Sequence, residues 1–83
     1  MNTEDIQKII AKSQVTTPVI NISFKTRDKI TGIFIRTADF DELKKKNLWR
    51  IVSGRNFDLY KESHNEDLAR IFNGAEFTRL EIV

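Results

Sequence analysis

The sequence predicts an α+β fold: a small five-stranded antiparallel barrel, with a helix ahead of it and a short helix in the loop between the second and third strands. Three observations predict it. VINISFK, Val19 to Lys25, alternates strictly, with Ile20, Ile22 and Phe24 on one face and Asn21, Ser23 and Lys25 on the other. ITGIFIR, Ile30 to Arg36, carries Gly32 in its middle, where a missing side chain weakens a flat strand but permits the bend a small closed barrel requires. RIFNGAEFTRLEIV, Arg70 to Val83, sets Asn73-Gly74 between two apolar runs.

The first element is a helix. Asn2 or Thr3 can cap it, Glu4 and Asp5 suit the positive end of its dipole, and Ile6, Ile9 and Ile10 form one apolar stripe. It is expected within residues 1–14, running to about Ser13, with Thr17-Pro18 ending any continuation and the barrel occupying residues 17–83. After the first strand, the polar Thr26 to Lys29 makes a turn into the second, which is rich in β-branched and aromatic residues. In DFDELKKKN, Asp39 and Glu42 stand at capping-box spacing, which gives the short helix. LWRIV, Leu48 to Val52, is a third strand ending at Ser53-Gly54. Residues 55–67 fit an edge strand or a helical turn equally, because Phe57, Leu59 and Tyr60 satisfy both spacings.

Asn73-Gly74 has three readings. It can stop a helix over Asn65 to Phe72, close a type I′ hairpin, or turn a barrel corner. The corner is preferred, with Leu68 to Phe72 as a fourth strand, residues 73–76 as a tight or 3₁₀ turn, and FTRLEIV as a fifth strand with Leu80 and Ile82 facing inward. It yields five strands and covers edges that three would leave open.

Eighty-three residues make one domain, since a chain of this length buries only about 60 to 65% of the surface it exposes when unfolded. Cysteine is absent, which excludes disulfides, thiolate metal sites and thiol nucleophiles and suits a reducing compartment. Acidic Glu4 and Asp5 stand where a signal peptide would be basic, and no run approaches a membrane span, so a soluble cytoplasmic protein is expected. The net charge of +2 is unevenly spread: residues 25–55 hold nine Lys or Arg against four acids, and residues 56–83 hold three against six.

With the elements in this order, residues 17–83 resemble the small barrels of the Sm-like and SH3-like kind. Gly32 matches the glycine of the second strand, and Ile71-Phe72-Asn73-Gly74 approximates the Ile-x-Gly corner. The resemblance implies a five-stranded barrel, a ring assembly and an RNA pocket built from loops. Ala38 stands where that family has an aspartate, Asp39 follows one later, and the loops at residues 39–47 and 55–67 are longer than its compact core uses. The whole chain also resembles a group of short bacterial proteins of no established function, a few carrying dehydrogenase names. No G-x-G-x-x-G follows a strand, and the length is too small for a dinucleotide-binding fold plus a substrate site.

No catalytic constellation is present, so an enzyme is not expected. His64 is the only histidine, in a polar SHNED loop with no second histidine or cysteine to complete a metal site. No nucleophile elbow or phosphate loop occurs, and neither a metal nor a small-molecule cofactor is expected. ELKKKNLWR joins Lys44, Lys45 and Lys46 to Trp49 and Arg50, pairing phosphate-neutralising charge with a stacking ring, and these five are the candidate nucleic-acid residues. The competing reading is a solvated lysine run beside a core tryptophan. The leading expectation is a non-catalytic binding module acting on a protein partner or a second copy of itself, with RNA or single-stranded nucleic acid as the alternative.

Overall fold

The computed structural model describes residues 1–12 and 19–83; the expected helix end near Ser13 and the Thr17-Pro18 stop lie outside the described residues. Asn2 caps α1 (Thr3–Lys12), its side-chain oxygen accepting from the Asp5 amide at 2.8 Å. Thr3 does not cap; its hydroxyl donates to the Lys44 carbonyl and ties the helix to a distant loop. Ile6 and Ile10 are the buried residues of its stripe.

Five strands follow in one antiparallel sheet: β1 (Val19–Phe24), β2 (Ile30–Phe34), β3 (Leu48–Ser53), β4 (Arg70–Asn73) and β5 (Phe77–Ile82). Their spatial order is β4-β3-β2-β1-β5. The sheet is not closed, because the two ends of that order do not pair with each other. Between β2 and β3 lies α2 (Phe40–Lys45), the expected short helix. The ambiguous stretch is helical: a 3₁₀ turn at Gly54–Asn56 leads into α3 (Phe57–Ser63), and His64 ends it in the left-handed region. Another 3₁₀ turn, Glu66–Leu68, precedes β4, and a third, Gly74–Glu76, makes the corner.

Alternation along the strands gives the sheet two apolar faces. On one face α1 packs with Ile20, Ile22, Phe34, Trp49, Ile51, Phe77 and Leu80. The other face carries a smaller cluster of Ile33, Ile35 and Val52, against which Phe57 and Tyr60 of α3 are packed. That contact explains why residues 57–63 are helical. Phe57 and Tyr60, three apart, both meet the sheet from one side of a helix, and Leu59 is left 54% exposed. An unbroken chain of rings crosses the larger core in the order Phe72, Phe24, Phe77, Phe34, Trp49, Phe40, with neighbouring centroids 5.4 to 6.3 Å apart in tilted or edge-on geometry.

Ile82 departs from expectation. It pairs with Ile20, as Leu80 does with Ile22, yet it is 41% exposed, standing at the last position of β5 at the end of the strand order. Leu80 and Phe77 are both buried although they stand three positions apart. The pairing shifts between Ser23 and Phe24, so that Arg79 faces Ser23 and Phe77 faces Phe24, and Thr78 is the extra residue of the bulge.

Two glycines mark close approaches. A Cβ on Gly32 would overlap Ile51 and lie 3.3 Å from the Val52 carbonyl, so β2 and β3 approach there in a way only glycine allows. A Cβ on Gly74 would overlap the Asn47 side chain and lie 2.6 Å from Cδ1 of Ile6. Gly74→Ala is therefore expected to cost about 1–3 kcal/mol in urea unfolding followed by Trp49 fluorescence. Gly54→Ala is the control, since its Cβ would meet only the Thr31 carbonyl at 3.6 Å. Equal stability of the two variants would show that the corner is not packed as described.

Candidate functional site

The crossover from β2 to β3 is where charge and hydrogen bonding concentrate. Asp39 stands at the N-terminus of α2 but does not cap it. Its carboxylate instead accepts a two-pronged bond from Arg50, from Nη2 at 2.8 Å and from Nε at 3.3 Å, and a further bond from the Thr37 hydroxyl. The Arg50 bond, then the Thr37 bond, holds the Asp39 carboxyl down at about 2 from its usual 3.8, and the same bond raises Arg50. This pair fastens the loop ahead of α2 to β3.

The five candidate residues divide across this region. Lys45 and Lys46 are exposed at the end of α2, where positive charge suits the negative end of the helix. Lys44 lies 3.4 Å from Asp41 and 5.7 Å from the Phe40 ring centre. Arg50 is engaged by Asp39. Trp49 is 3% exposed, its ring in edge-to-face contact with those of Phe34 and Phe40 and its indole N–H donated to the Asn47 side chain at 2.9 Å. The structure thus brings charge to the surface here but turns the only tryptophan into the core, where no base can stack on it. His64 is exposed, with its ring 5.8 Å from that of Tyr60.

Two further features lie outside the lysine run. The first is the pair of open edges. The Gly74 amide donates to the Asn47 carbonyl, which by antiparallel alternation turns the Arg70 and Phe72 amides toward β3 and those of Ile71 and Asn73 outward. The Val83 amide donates to Val19, which likewise turns the Leu80 and Ile82 amides away from β1. Ile71, 48% exposed, and Ile82 therefore each stand on an edge with an outward amide. Among the described residues no strand pairs with either row.

The second is a cleft of about 410 Å³ at the β1–β2 turn, lined by Arg27, Arg55 and Arg70 together with Phe72, Ser53 and Asn56. Arg27 lies over the rings of Phe24 and Phe72, 5.1 and 5.6 Å from their centres. Among the described residues none of the three arginines is paired with a carboxylate. Their spacing along the chain follows no local motif, so only the fold reveals them as neighbours.

Among the described residues no helix is long and apolar enough to cross a membrane, and no three His, Cys, Asp or Glu side chains cluster as metal ligands. Compared with family models, with curated proteins and with solved structures, the chain finds no match.

Because folding lowers the Asp39 pKa, the stability this pair contributes is complete above about 3.8 and is lost as pH falls through about 2. Asp39→Asn is expected to be less stable than the parent at neutral pH and to lose less on acidification across that window. Urea unfolding at stepped pH measures both. Equal acid losses in the two proteins would assign the transition to other carboxylates.

Proposed function

We propose that this chain is a non-catalytic binding module that acts through protein contacts, with self-association by strand addition as its mode. One observation carries the reading: among the described residues the sheet ends in two edges that no strand pairs, each with outward amides and an exposed isoleucine, Ile71 on β4 and Ile82 on β5. Unpaired backbone rows are templates for another strand, and an apolar side chain at each row adds burial to the hydrogen bonds. The edges differ, so β4 of one copy meeting β5 of another would be a head-to-tail contact. Nothing on β4 supplies the lysine, proline or bulge that usually blunts an edge; its one basic residue, Arg70, turns its amide inward.

The strand order, the helix ahead of β1, Gly32 and the one-turn corner from β4 to β5 support reading the fold as an Sm-like or SH3-like barrel left open. The cysteine-free composition supports a reducing compartment, the cytoplasm. RNA or single-stranded nucleic acid is the weaker reading at Lys44 to Arg50. With Trp49 in the core it has charge alone for support.

Sedimentation velocity over about a hundredfold range of concentration tests the proposal, since association follows mass action. The mass is expected to rise with concentration. Ile71→Pro and Ile82→Pro each remove an outward donor while leaving the bonds to β3 and β1 in place, and each is expected to hold the protein at one chain. A single-chain mass for the parent at every concentration would overturn self-association.

A further inference from the structure

We propose that the cleft between the β1–β2 turn, the 3₁₀ turn at Gly54–Asn56 and β4 binds a compact polyphosphate anion through Arg27, Arg55 and Arg70. This site is separate from the lysine run and is not needed for strand addition.

Charge comes first. Three guanidinium groups line one cleft, no carboxylate lines it with them, and like charges gathered this way repel one another. A ligand with several closely spaced negative charges reverses that repulsion, whereas one carboxylate would offset only part of it. The residue type narrows the chemistry further. Guanidinium presents a planar fork of donors that matches phosphate oxygens two at a time, and it does so with less hydration to strip than an ammonium.

Geometry supports the same ligand. The Arg27 guanidinium lies over the Phe24 and Phe72 rings, and cation–π attraction favours that placement beside the cleft. The Ser53 hydroxyl and Asn56 amide add neutral donors to the wall. A volume of about 410 Å³ is in the range of small-molecule sites. The half-buried Phe72 adds an apolar side chain to the wall beside the charges. The shared chemistry is a di- or triphosphate group, free or carried by a nucleotide.

An amide NMR titration of the full chain tests this, using inorganic triphosphate, sulfate matched for ionic strength, and ATP. Triphosphate is expected to move the amides of Thr31, Gly54, Arg55, Asn56 and Phe72 and to bind at least about tenfold more tightly than sulfate. Arg55→Gln and Arg70→Gln are each expected to weaken triphosphate about tenfold with well-dispersed spectra retained. All three arginines are exposed, and Arg55 and Arg70 are preferred to Arg27 because the ring contacts of Arg27 also support the fold. Alanine at Lys44, Lys45 and Lys46 together should leave triphosphate affinity unchanged. ATP tighter than triphosphate would support a nucleotide as the source, and equal affinity would support the free anion.

Equal binding of sulfate and triphosphate, shifts centred on Lys44 to Lys46, or full affinity in both arginine variants would overturn the proposal. So would a response to a short oligoribonucleotide with none to triphosphate.

Discussion

Asn47 adopts a left-handed backbone, with φ of 59°, and two distant segments are tied to the entry of β3 there. Its side-chain amide donates to the Met1 carbonyl at 2.9 Å, its side-chain oxygen accepts the Trp49 indole N–H, and its own carbonyl accepts the Gly74 amide at 2.8 Å. Asparagine tolerates this conformation better than any β-branched residue, and both ends of its amide are used. The Met1 nitrogen completes the knot by donating to the Gly74 and Phe77 carbonyls. The start of α1, the entry to β3 and the corner before β5 are thereby fixed to one another. Gly74 must be glycine because the Asn47 side chain fills the space where a Cβ would be.

From that knot the two faces of the sheet follow. Fixing the entry to β3 sets its register, which turns Trp49 and Ile51 toward α1 and leaves Arg50 and Val52 on the other face. Arg50 then meets Asp39, and Val52 meets the residues under α3. The described core contains no buried charged or polar side chain, so specificity comes from its periphery. Asn47, the Asp39–Arg50 pair and Arg27 between two rings are all partly exposed groups that each join segments far apart in sequence.

The parts of the fold legible in the sequence were those specified by short-range pattern. Alternation in Val19 to Phe24 and the stripe of Ile6 and Ile10 need only neighbouring residues to read, whereas the Asn73-Gly74 corner is favoured over a helix stop or a hairpin only by the strand count it completes. Residues 57–63 were ambiguous because Phe57 and Tyr60 gain their meaning from Ile33 and Val52, which local spacing does not contain. Asp39 had capping-box spacing, yet Arg50, eleven residues away, claims its carboxylate. Alternation places Ile82 inward with Leu80, but alternation gives a side of the sheet and does not tell that β5 ends the strand order. The lysine run was visible as a basic segment, whereas burial of Trp49 depends on Asn47 and the Phe34 and Phe40 rings. Arginines 27, 55 and 70 belong to three separate connections and strands, and sequence carries no sign of their proximity.

The unequal clusters on the two sides of the sheet have a dynamic consequence. Nine buried side chains hold α1 to one face, but only Ile33, Ile35 and Val52 lie beneath α3, a helix with no buried residue of its own. Regions with few buried apolar contacts open at the lower end of a protein's range of local free energies. Release of α3 would leave the strand pairing and the larger core intact. Amide exchange is therefore expected to be faster in α3 than in the strands, and Val52, wholly shielded beneath it, is the side chain that an opening would uncover.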